Sequence, residues 1–447
     1  MTGQCIPSRI TEGEMYPNYL SSHGSYSRTW ATIAGILAAG IVFSFAMIST
    51  PEAHAQRFNV IYNFTGGADG SQPLGGVAMD AAGNLFGTTY IGGYTHHPAT
   101  AGNDCYPNGC GMIFELTKSG STWTFTSLYG FVGGADGYQA TAPLTVGPDG
   151  AVYGTARFGG TGCYNGQYAP LGCGIVYKIS TTAGGGWRET ILYRFKGPPD
   201  GEGPWNSQVI FDSARNIYVT TLSGGSSGDG TTVKLLPAPG EWSETILHNF
   251  PSENGDGVGP DGGLVFDDSG RLYGTTFAGG SGGGHCAYCG TVYQLTPGDL
   301  GWTERILYTF RGGADGETPL GGLVFDHSGH LYGTTNGLYY PSNDHPPLGT
   351  GGCVFMLTPS GDDWTFELLH SFIARPGYPD GGPNGNLALE RESRKIVAAV
   401  VGLGQSLGLS TVAFYTRRRF RPPLHSICSN DRNCMRDKDQ LQRRLQN

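Results

Sequence analysis

The most regular feature of the chain is a strand-like stretch in which Trp is followed eight residues later by Phe, with a Leu-Tyr or Leu-His pair between. It recurs as Trp123 to Phe131, Trp187 to Phe195, Trp242 to Phe250, Trp302 to Phe310 and Trp364 to Phe372. Alternation of apolar and polar positions over this length predicts a half-buried β-strand. Each stretch leads to an Asp-Gly turn, at Gly70, Gly137, Gly201, Gly257, Gly316 and Gly381 counting one that precedes the first Trp, spaced 67, 64, 56, 59 and 65 residues apart. After the turn comes a short apolar run such as Leu323-Val324-Phe325, closed by Asp80, Asp149, Asp212, Asp267 or Asp326. A polar turn then enters a Tyr/Phe-Gly-Thr strand such as Leu272-Tyr273-Gly274-Thr275-Thr276, and a third strand carries a Val/Ile-Phe/Tyr pair. Four strands per unit at this period predict an all-β protein, a β-propeller of four-stranded blades.

The stretch Arg57 to Phe64 fits the fourth-strand slot without its Trp, so the chain begins on a fourth strand and its last unit needs to supply only three. Residues 385–390, 395–399 and 411–414 fit those slots, which predicts six blades with the N-terminal strand closing the ring, and closure protects edge strands. A second reading of 396–416 stands beside this one. These 21 residues carry no charge and precede Arg417-Arg418-Arg419, as in a membrane span with a positive-inside stop.

Composition agrees with short strands and tight turns: 76 Gly and 27 Pro make 103 of 447 residues, too many for a mostly helical chain. Residues 56–390 hold 13 Lys/Arg against 29 Asp/Glu, a balance of -16, whereas 391–447 hold 12 against 4, a balance of +8. The acidic body excludes nucleic acid as a partner, because phosphate binding needs clustered basic side chains. Before the body, the apolar run Thr29 to Ile48 leads to Ala53-His54-Ala55-Gln56, the small-residue pattern of signal cleavage between Ala55 and Gln56. The expected organisation is a signal peptide or signal anchor over 1–55, a repeat domain over 56–416 and a basic, disordered tail over 417–447. The expected location is extracytoplasmic, with membrane contact only through the N-terminal segment or a span at 396–416.

Three local cysteine pairs, Cys105/Cys110, Cys163/Cys173 and Cys286/Cys289, each precede a short apolar strand. In an oxidising compartment these read as loop-closing disulfides. For Cys286/Cys289 the C-x-x-C spacing also suits redox or metal chemistry, although no further ligands sit at finger spacing. Cys353, Cys428 and Cys434 have no place in the repeat.

Gly262 to Thr276 and Gly321 to Thr335, the segment Cys289 to Leu295, and the segment Trp302 to Gly316 resemble, in fixed order, the GloVer repeats of bacterial choice-of-anchor tandem repeat proteins. The resemblance covers about residues 58–390 and implies an extracytoplasmic, propeller-like β structure whose C-terminal anchor varies. It supplies no catalytic residues. Unit three departs from the pattern at Asn216-Ile217-Tyr218-Val219-Thr220, which lacks the Gly, and the last unit is decayed.

The recurring Asp residues suit backbone capping of turns; calcium is the one ion their oxygens would suit, and no EF-hand or nonapeptide pattern accompanies them. The Trp and Tyr of the repeat suit interblade packing, with sugar stacking as the alternative. No G-x-S-x-G, H-E-x-x-H or phosphate-binding glycine loop is present. Asymmetry lies mainly in the loops 91–110, 157–173 and 336–351. The expected function is a non-catalytic scaffold binding a cell-surface glycan or protein, without catalytic residues, resident metal or cofactor. The alternative is a propeller enzyme of lyase, glycosidase or lactonase type.

Overall fold

A computed structural model describes residues 61–93, 105, 109–163, 172–251, 255–281, 289–336, 350–373, 387–390, 395–398, 400–401 and 412–413. Five antiparallel blades follow one another along the chain in a propeller arrangement, each of four strands, with Gly257–Pro260 adding a fifth to the sheet of blade 4. Blade 1 comprises Val77–Met79, Leu85–Thr89, Met112–Ser119 and Thr122–Gly130, and blade 2 comprises Thr145–Val146, Val152–Ala156, Ile175–Thr181 and Trp187–Arg194. Blade 3 runs Ile210–Phe211, Ile217–Thr221, Thr231–Leu236 and Ser243–Asn249; blade 4 runs Val265–Phe266, Leu272–Gly279, Thr291–Gly298 and Gly301–Thr309. Blade 5 runs Val324–Phe325, Leu331–Thr335, Thr350–Ser360 and Asp363–Ile373. The strands therefore fall in the slots that the repeat predicts.

The core lies between blades. Phe131 of blade 1 packs with Tyr177, Ile179, Trp187 and Ile191 of blade 2. The same slots recur as Phe195 with Val233, Leu235, Trp242 and Ile246, and as Phe250 with Tyr293, Leu295, Trp302 and Ile306. Phe310 with Phe355, Leu357 and Trp364 completes the series. The repeat's Trp is thus interblade packing.

One strand can serve two neighbours because every blade carries a β-bulge in the same place. The register between third and fourth strands shifts between Ile113 and Phe114, Val176 and Tyr177, Thr232 and Val233, Val292 and Tyr293, and Val354 and Phe355. The extra residue is the Leu of the Leu-Tyr or Leu-His pair: in blade 2, Tyr177 opposes Ile191 and Val176 opposes Tyr193, which leaves Leu192 over. A bulge inverts the alternation beyond it. Trp187, Glu189 and Ile191 therefore face blade 1, while Tyr193 and Phe195 face blade 3.

The Gly of the Gly-Thr pattern has a packing cause. A Cβ on Gly87 or Gly333 would lie 2.4 Å from the ring of Phe114 or Phe355, and one on Gly154 or Gly274 would lie 2.4 Å from the hydroxyl and 2.6 Å from the ring of Tyr177 or Tyr293, in each case the partner on the third strand. Unit three carries Val219 in this slot because the residue opposite it is Val233, with no ring to accommodate.

The blade count differs from expectation. Beyond blade 5 the described residues form a two-stranded sheet, Leu387–Glu390 with Lys395–Ala398, and Val412–Ala413 pairs with Val400–Val401 instead of extending it. These are the first two slots of the expected sixth blade, without a third or fourth strand joined to them. Residues 61–64 form no strand, and 57–60 lie outside the described residues, as do Ala55, Gln56, Cys286 and the tail. The physical reason is that Val400–Val401, which follows the second strand closely, takes Val412–Ala413 as its partner, so the third-slot segment does not extend the sheet. Val77 and Met79 of blade 1 are 53% and 68% exposed, whereas Leu144, Val209, Leu264 and Leu323, in the slot of Val77, are buried against the preceding blade. No helix among the described residues is long and apolar enough to cross a membrane.

Candidate functional site

Most recurring polar side chains are consumed by the fold. Asp80, Asp212, Asp267 and Asp326 each accept two backbone N–H groups of the turn that follows, at 2.8 to 2.9 Å. Burial raises the carboxyls of Asp212, Asp267 and Asp326, but side-chain bonds from Asn216, Arg271 and His330 together with these backbone bonds outweigh it, so the three titrate lower than usual. In blade 2, Gly147 takes the capping position and Asp149 sits two residues further on, bound to Tyr153 and Lys178. The paired Thr are buried, and Thr155, Thr220 and Thr275 bond to carbonyls of the next unit. Cys353 occupies the slot of Thr231 and Thr291: its N–H donates to Thr335 Oγ1 at 3.0 Å, as that of Thr291 does to Thr276 Oγ1 at 3.1 Å. Burial pushes its thiol up to about 11, so it is inert at neutral pH.

The Asp of the Asp-Gly turn has a second task. Because the bulge turns the following Tyr toward the next blade, Tyr and Asp together meet the residue two after that blade's Trp. Tyr62 stacks on Phe125 with centroids 4.9 Å apart and donates to Asp69, and Tyr308 stacks on Phe366 at 4.6 Å and donates to Asp315. At the three seams between, the residue met is a glutamate. Tyr129 donates to both Asp136 and Glu189; Tyr193 donates to Asp200 at 2.9 Å and Glu244 at 3.3 Å. Asp256 and Glu304 share His248 Nε2, at 3.3 and 3.5 Å. Burial, reinforced by the facing aspartate, pushes Glu189 up to about 9, Glu244 to about 8 and Glu304 to about 9, so each holds its proton at neutral pH.

A third arrangement breaks the repeat. In blades 1 to 4 the residues that leave the second strand lie beside the turn that precedes the first strand, as the bridges Ser71 to Ile91 and Tyr138 to Phe158 and the pairs Gly224 to Gly201 and Gly279 to Gly257 record. The loops to the third strand therefore start at the same end of each of these blades. Disulfides Cys105–Cys110 and Cys163–Cys173 close two of them, and Cys289 is disulfide-bonded in the same slot of blade 4, its partner lying outside the described residues. At the start of the second loop, Arg157 holds its guanidinium 3.8 Å from the Trp205 ring centroid and 4.8 Å from that of Phe158. Trp205 is one residue more than units 1, 4 and 5 have between the Pro at this turn and the first strand: Pro204 precedes Val209 by five, whereas Pro73, Pro260 and Pro319 precede Val77, Leu264 and Leu323 by four. Its neighbour Asn206 donates from N and Nδ2 to Asp261 at 3.2 and 3.0 Å. Burial pushes the Asp261 carboxyl up to about 6, with Asn206 and then Arg157 opposing. Among the described residues the Arg157 guanidinium makes no hydrogen bond or ion pair, and none of its nitrogens is sealed from solvent.

The expected disulfides at 105/110 and 163/173 are thus formed, and the Asp, Thr and Trp of the repeat have structural tasks. The carboxyl pairs and the Arg157 group were not singled out from sequence. The glutamates of the Trp-x-Glu triplet in three units were the available signal for the first, and the extra residue at Trp205 for the second. The profile of the Gloeobacter/Verrucomicrobia repeat matches residues 164–395, more than half of the chain. A comparison with curated proteins finds no match. Solved structures similar to the chain include a putative 6-phosphogluconolactonase from Bacteroides uniformis, at 12% identity over 76% of this chain and 84% of that one, with a TM-score of 0.44. A variant of the NanB sialidase from Streptococcus pneumoniae follows at 11% identity, covering 83% and 71%, with a TM-score of 0.46. An alpha-L-arabinofuranosidase from Fusarium graminearum has 13% identity, covering 76% and 91%, with a TM-score of 0.45.

Proposed function

We propose, for a chain that belongs to the Gloeobacter/Verrucomicrobia repeat family, the role of an exported, non-catalytic scaffold that binds a glycan or protein on the face bearing its disulfide-closed loops. The observation that carries this reading is Arg157, whose guanidinium lies over the Trp205 and Phe158 rings and makes no hydrogen bond or ion pair among the described residues, at the start of the loop that Cys163–Cys173 closes. A planar guanidinium held in this way recognises carboxylate or sulfate groups, and the neighbouring rings suit sugar faces. Stapled loops of unequal length supply selectivity around it. The chemistry favours an acidic ligand, such as a uronate-containing glycan or an acidic peptide segment.

The test measures binding of the purified body to immobilised acidic and neutral cell-surface glycans and to surface proteins. Arg157→Ala and a 91–110 loop shortened within 94–104, so that Cys105–Cys110 is kept, should each weaken the wild-type interaction at least tenfold while leaving the thermal midpoint nearly unchanged. Unaltered binding by both variants would overturn the reading. Asp261 favours a second one, because a carboxyl titrating near pH 6 beside an arginine suits general acid-base work. Turnover of a polysaccharide or lactone that is lost in Asp261→Asn would replace the scaffold with an enzyme.

A further inference from the structure

The seam between blades 3 and 4 departs from its sisters in one residue: His248 stands where Tyr62, Tyr129, Tyr193 and Tyr308 supply a phenol. We propose that His248, Asp256 and Glu304 form a binding site for one divalent transition metal of the zinc class. The donor atoms, an imidazole nitrogen and two carboxylate oxygens, lie within 4.8 Å of one another. Imidazole with two carboxylates suits zinc and its neighbours, whereas calcium and magnesium take oxygen ligands.

The spacing supports the same conclusion. Ligands at about 2.1 Å from a tetrahedral zinc stand about 3.4 Å apart, and Nε2 lies 3.3 Å from Asp256 and 3.5 Å from Glu304. A charge-assisted hydrogen bond would draw them to about 2.8 Å. The outer contacts fix the ligands for this task. Gly257 N–H holds Asp256 Oδ1 at 2.6 Å, which leaves Oδ2 toward the imidazole, and the edge-on contact with Phe250 at 4.6 Å orients the His248 ring. Glu304 Oε1 is enclosed without a hydrogen-bond partner, so this carboxyl has bonding capacity left, and its proton is released to solvent when the ion binds. Side-chain exposures of 18%, 11% and 12% leave a path for the ion. Two ligands come from blade 3 and its exit turn and one from blade 4, so the ion would bind the two blades together.

The experiment uses the full chain stripped with chelator, titrated with zinc by calorimetry and melted with and without it. Wild type should take up one equivalent that His248→Tyr lacks, and zinc should raise the midpoint of wild type only. His248→Tyr restores the residue of the sister seams and should keep the metal-free midpoint; Glu304→Phe, the residue found at 125 and 366, gives a second route to the same loss. Absence of zinc uptake by wild type, or equal stoichiometry and equal stabilisation in both variants, would overturn the proposal.

Discussion

Gly154 lies under the Tyr177 ring, and Val219 lies opposite Val233 in the next blade, so the two pairs solve one packing constraint in opposite ways. Gly154→Val should lose about 3 kcal/mol, and Tyr177→Val added to it should recover at least about 1 kcal/mol, a coupling measurable in a denaturant double-mutant cycle. Additive losses would contradict the steric account. The buried glutamates make a separate prediction. Their folded titration points, about 9 for Glu189 and about 8 for Glu244, lie above the 4.5 of an ordinary glutamate. The native state therefore binds protons that the unfolded chain has released, and stability is full below pH 4.5 and falls as pH rises through 8 to 9. Thermal midpoints measured from pH 5 to 9 should decline, and Glu189→Gln with Glu244→Gln should flatten the decline. At this scale the sequence was legible where one residue type recurs in one slot, as Trp and Gly do. The carboxyl pairs were not, because each unites residues about fifty apart in chain and one seam apart in space.

At the scale of the element, the fourth strand shows where reading by period fails. Trp187 and Phe195 are an even number of residues apart, so simple alternation puts them on one face; the Leu192 bulge puts them on two. Strand existence follows from alternation, whereas a bulge depends on register with a neighbouring strand that composition does not reveal. Loops were easier to read, since short-range cysteine pairs in Gly-rich turns have few alternatives. Cys105–Cys110 and Cys163–Cys173 close loops of 5 and 10 residues' separation. Replacing either pair by Ser should cost about 2–3 kcal/mol. Limited proteolysis should then cut the opened loop first. An unchanged midpoint together with an unchanged cleavage pattern would show that the loops are held by other contacts.

For the whole molecule, the four seams between the five blades were legible and the termination was not, because 385–390, 395–399 and 411–414 carry strand patterns whose pairing depends on register with a neighbour, and Val412–Ala413 pairs with Val400–Val401 instead. Leu387 is buried against Tyr332, Val354 and Met356, so blade 5 is covered by the segment beyond it. Removing 387–447 should therefore lower the thermal midpoint by several degrees, whereas removing 417–447 should leave it unchanged. If both truncations melt like the full chain, residues 387–416 contribute nothing to the fold.

The thin cover over blade 1 has a kinetic consequence. Each interior blade is gripped on both sides, since its fourth strand sends Trp backward and Phe forward, but among the described residues the outer flank of blade 1 is met only by Tyr62 and Phe64, which pack on Phe125 and Phe114 and leave Val77 and Met79 exposed. A linear array of coupled units unravels from its weakest end, at a free energy that rises with every neighbour still in place. Amide hydrogens of the second and third strands should accordingly exchange fastest in blade 1 and slowest in blades 3 and 4, so that the chain carries a gradient of opening rates from its first blade toward its middle.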